Sequence, residues 1–142
     1  MKSGIQSIFL AMGEFGCFVF CLIEMCTQKF GYTGNTLDAI MKGIEGGYIA
    51  YNEKDPKDVL NGYVKDTYGF IRCLTGKNVK EVRQEITGFD KKPIEGAINF
   101  WQLQNAIAGK GHFTYGSFNP LAYSYTVENG FLRQIRRYEV TR

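Results

Sequence analysis

"GCFVFCLIEMCTQKFGYTG", residues 16–34, is apolar on nearly every face as far as Met25, then turns polar and ends in glycines. A helix that is hydrophobic all round belongs inside a core, surrounded by other elements. The run is poor in β-branched residues, so its length favours helix over strand. The expectation is a buried helix from about Gly16 to Phe30. Glu14 and Glu24 bracket the longest apolar run here, which is well short of the roughly 20 residues of a membrane span. "MGEFGC", residues 12–17, is a poor signal-cleavage site and an imperfect lipobox.

Working outward, "NTLDAIMKGIEGG" (35–47) has a capping Asn35 or Thr36. Leu37, Ile40, Met41 and Ile44 mark one face, and Gly46-Gly47 form a stop. "GYIAYNE" (47–53) suggests a short strand. "DPKDVLNGYVKDTYG" (55–69) puts Asp55 at the N-cap and Pro56 at the first helical position, predicting another helix weakened by Gly62. After Gly69 the texture changes. "FIRCL", "VKEVRQEIT", "AINFWQLQ", "GHFTYG" and "FLRQIRRYEV" alternate apolar with polar residues. "GSFNP" and "ENGF" are turn signals between them. Helices followed by strands make an α+β fold, with the N-terminal helix packed against a C-terminal antiparallel sheet in one domain spanning 1–142.

The chain has 142 residues and a net charge of +3, too small to call for a nucleic-acid partner. Arg133, Arg136, Arg137 and Arg142 near the C-terminus read mostly as a solvated edge. Cys17, Cys21 and Cys26 crowd one apolar helix, where neighbours do not readily meet disulfide geometry. Reduced thiols in a cytoplasmic compartment are expected. Their spacing lacks the paired Cys-x-x-Cys turns of zinc knuckles, so neither metal nor cofactor is expected.

Cys17 follows Gly16 at the start of the predicted helix. Unpaired backbone N–H groups and the helix dipole there favour a thiolate, and the same groups can hold an oxyanion. His112, the only histidine, lies in the glycine-flanked strand segment "GKGHFTYG" (109–116). A neutral imidazole within reach of the thiol takes its proton. Asn119, in "SFNP", is the first candidate to orient the ring. Asn99, Asn105 and Glu128 are weaker alternatives, and Trp101, Tyr115 and Tyr123 are candidate groove aromatics.

A cysteine heading an apolar helix, with Gly-His-Phe much later on a strand, resembles the papain-like fold of cysteine peptidases. Compact bacterial members of the bacteriocin-processing and cell-wall-peptidase kinds are the most similar. More narrowly, Gly16-Cys17-Phe18, His112-Phe113, Asn119-Pro120, Ser124 to Val127 and Gly130 resemble small phage- and plasmid-borne domains. The resemblance covers the first helix and the last thirty-odd residues. It implies a peptidase or amidase acting on a peptide or amide bond, with Cys17, His112 and Asn119 as the catalytic set. It also implies an oxyanion glutamine, for which Gln6 is the candidate. By the residues themselves, Gly16 before the cysteine leaves room for a substrate, and Trp101 is a candidate to line its groove. The alternative is the same fold without the chemistry, a binding or assembly module with a homodimer among its forms.

Overall fold

The computed structural model describes residues 17–55, 57–58, 60–88, 90, 92–103, 111–116 and 130–141. Within them the chain is α+β, with three helices and one four-stranded antiparallel sheet. It forms two compact units, the first ending at Val79 and the second running from Lys80 to Thr141.

In the first unit, helix α1 (Cys17–Lys29) buries Val19, Cys21, Leu22, Ile23, Met25 and Cys26. It packs on α2 (Thr36–Glu45) and α3 (Thr67–Thr75), which also meet each other. Asn35 caps α2 by accepting from the Asp38 N–H at 2.8 Å, and the Tyr32 hydroxyl donates to the Asn35 carbonyl at 3.1 Å. Gly43 is buried on α2, and a Cβ there would run into Ile49 and Phe70. Only glycine lets these side chains come so close. The strand expected at residues 47–53 reduces to a single bridge between Ile49 and Val64.

The helix expected from Asp55 does not form. Asn52, Asp55 and Asp58 each accept, through their side-chain oxygens, the N–H two residues on, at 3.0, 3.1 and 3.0 Å. Such Asx turns take the donors that a helix would use. Asn61, 2% exposed, locks the loop by accepting from Asn52 N–H and donating to the Asp55 carbonyl. Gly62 then turns the chain at φ +84°. The helix starts instead at Asp66, whose carboxylate accepts from Gly69 N–H at 2.9 Å. It takes in "FIRCL", expected as strand, because Phe70, Ile71 and Leu74 share one helical face. Gly76 ends it in the left-handed conformation at φ +73°.

The second unit is the sheet, in the order β1-β4-β2-β3: β1 (Val79–Glu85), β4 (Gly130–Val140), β2 (Ile98–Leu103), β3 (Gly111–Tyr115). Trp101 pairs with His112 on β3 and with Leu132 on β4. Phe100 pairs with Gln134, so Arg133 is an extra residue on β4, a bulge. β4 is therefore an inner strand, not the solvated edge its arginines suggested. Ala97, Trp101, Leu132 and Ile135 form a core flanked by Ile86 and Ile94. An indole removes about 200 Å² from water, so Trp101 contributes roughly 5 kcal/mol before entropy is charged.

Candidate functional site

Cys17 is the first residue of α1 and is partly exposed. No acidic side chain stands in the first turn, so nothing within it offsets the positive end of the helix. Cys21, one turn on, is buried. Its thiol is pushed far up by burial first, then by Cys17 and Glu24. Burial also pushes the Cys26 thiol up, to about 12. Both stay protonated and inert at neutral pH. Cys73, on α3, is exposed, and none of the four cysteines is in a disulfide.

His112 lies in the second unit on β3, opposite Trp101. Strand alternation puts it on the same face as Thr114 and Trp101. It is half-buried, and that burial lowers its pKa. The imidazole is thus kept neutral around pH 7, as a proton acceptor must be.

Trp101, expected on a groove wall, is 2% exposed and donates its indole N–H to the Thr114 hydroxyl at 2.8 Å. Its ring is core. Asn99 is fully buried. Its amide donates to the carbonyls of Ile94 and Gly116, and its oxygen accepts from Ile94 N–H. Those bonds pin the 94–98 turn and occupy both donors, so Asn99 serves the fold. Gln6, Gly16 and Asn119 lie outside the described residues, as do Asn105, Tyr123 and Glu128.

One polar cluster escaped the sequence reading. Tyr138, 1% exposed, donates to Glu81 Oε1 at 2.8 Å, and Arg136 Nε stands 3.8 Å from the same oxygen. The Arg136 guanidinium lies 4.9 Å from the centre of the Phe113 ring, which packs on Phe100. Burial, then Glu81, pushes the Tyr138 hydroxyl far up. It is a fixed donor and not a nucleophile. Burial, then Arg83, lowers the Arg136 pKa. Its guanidinium holds strand β4 to β1 and to the aromatic pair, so it is engaged within the sheet. The signal in the sequence was that Arg136 and Tyr138 share one strand face; their partner Glu81 lies 57 residues away.

Among the described residues no three His, Cys, Asp or Glu gather as a metal site, and no helix is long and apolar enough to cross a membrane. No family model, curated protein or solved structure matches the chain.

Proposed function

We propose that the chain is a papain-like cysteine peptidase or amidase, with Cys17 as nucleophile and His112 as its base. The observation behind this is the contrast among three thiols on one helix: Cys17 opens α1 and reaches solvent, while Cys21 and Cys26 are buried and held protonated. The half-buried, neutral imidazole of His112 supports the other half.

In this reading the Cys17 proton passes to His112 as Sγ adds to the substrate carbonyl carbon. The oxyanion formed is met by the Cys17 N–H at the positive end of α1. The C–N bond then breaks, and the amine leaves with the proton from the imidazolium. Water, deprotonated by His112, opens the thioester and restores the thiol. Asn119 orients the ring. The steps balance without metal or cofactor.

The test is turnover of a peptide and amide panel by the full chain. Cys17→Ser should abolish it, and His112→Ala should lower kcat/KM by roughly 10²–10⁴. Cys73→Ser should leave it unchanged. Turnover that survives Cys17→Ser overturns the proposal. Absence of any turnover favours the second reading, a binding or assembly module, which has its own support: Trp101 and Asn99 are spent on the core.

A further inference from the structure

The loop between α2 and α3 contains Asn61-Gly62, and both residues are buried. Asparagine before glycine exposes its side-chain amide to attack by the next backbone nitrogen, because glycine has no Cβ to block the approach. Here the groups that such an attack needs are held elsewhere. Gly62 N–H, the nucleophile, donates to the Ala50 carbonyl at 2.8 Å. The Asn61 amide nitrogen, the leaving group, donates to the Asp55 carbonyl at 3.0 Å. The amide oxygen accepts from Asn52 N–H at 2.7 Å. Asn61 N–H donates to the Asp58 carbonyl at 3.0 Å, so the residue is fixed through backbone and side chain alike.

We propose that Asn61-Gly62 is a deamidation site shielded by the folded loop, and that local opening of the loop converts it irreversibly. When the loop opens, the Gly62 nitrogen loses its proton and bonds to Asn61 Cγ. The Cγ–Nδ2 bond breaks, ammonia leaves with that proton, and a five-membered imide remains. Water opens the imide at either carbonyl, giving aspartate or isoaspartate. The reaction consumes only water and releases only ammonia. Neither product fits the closed loop. Aspartate sets a carboxylate oxygen against the Asp55 carbonyl, where a donor stood, and buries a charge. Isoaspartate adds a backbone atom just before Gly62, whose φ of +84° and bond to Ala50 depend on the present spacing. The Ile49–Val64 bridge flanks that bond and is lost with it. The conversion is therefore one-way, a covalent record that the loop has opened.

Tryptic peptide 58–65 holds no other asparagine and no glutamine, so its amide-to-acid mass shift reports Asn61 alone. The full chain is incubated in mildly alkaline buffer, folded and in urea, and sampled by mass spectrometry. The folded chain should convert at least about tenfold more slowly, since reaction waits on opening. Asp58→Ala removes the acceptor for Leu60 N–H and for the Asn52 amide. It should speed conversion of the folded chain and leave the rate in urea unchanged. Asn61→Asp, which carries a product side chain from the start, should unfold at lower urea than the parent. Equal rates in the folded and unfolded chain, or no conversion in urea, overturns the proposal. So does a folded rate indifferent to Asp58→Ala, or an Asn61→Asp chain as stable as the parent.

Discussion

Asn99 sits fully buried because three backbone groups need it: the Ile94 N–H, the Ile94 carbonyl and the Gly116 carbonyl. Replacing it by alanine leaves those groups without their partner inside the unit. Each such loss costs about 1–3 kcal/mol, so Asn99→Ala should cost about 3 kcal/mol in urea unfolding. A loss below about 1 kcal/mol would mean that water or relaxation satisfies them. His112 makes a pH prediction. Burial holds its folded pKa below the ordinary 6.5. The unfolded chain then binds the extra proton first as pH falls. Stability is complete above about pH 6.5 and declines through the window down to the folded pKa. His112→Gln should flatten that part of the stability curve, and an unchanged slope would assign the acid sensitivity elsewhere. At this scale the sequence was informative only where a role is local. The helix start at Cys17 was readable because it is a local event. The duty of Asn99 depends on a carbonyl 17 residues away, and no neighbour in the chain announces it.

Helix α3 shows what decides between elements. Asp66 caps it and Gly76 closes it in the left-handed region. Asp66→Ala should cost about 1 kcal/mol, read by thermal or urea unfolding of the full chain. Gly62→Ala, at φ +84° in the Asx-turn loop, should cost a similar amount of about 1 kcal/mol. If both substitutions are neutral, capping and turn geometry do not hold this segment. The sequence reading took Asp55-Pro56 as the helix start and passed over Asp66. The Asp55-Pro56 pair has the stronger signature. It loses because Asn52, Asp55 and Asp58 repeat every three residues and each turns its side chain onto a nearby N–H. Asn61 beneath the loop fixes those turns through bonds six and nine residues long in sequence, which local pattern does not reveal. The four long strands were legible because their period-two alternation runs over five residues or more. Their spatial order was not, since β4 inserts between β1 and β2 through contacts far apart in the chain.

For the whole chain, the apolar texture of residues 16–34 and the alternation read after Gly69 foretold helices first and sheet afterwards, although the first of those alternating segments, "FIRCL", is helical. No proline- or glycine-rich linker marks the division at Val79 into two units, and the boundary falls at the first residue of a strand. It matters for the chemistry proposed, since Cys17 belongs to the first unit and His112 to the second. The decisive measurement is the rate at which iodoacetamide alkylates Cys17 at pH 7, followed by mass spectrometry with exposed Cys73 as internal reference. Cys17 should react at least about tenfold faster than Cys73, and His112→Ala should erase that advantage. Equal rates at the two thiols, or an advantage that survives loss of the imidazole, contradicts the pairing on which the enzyme reading stands.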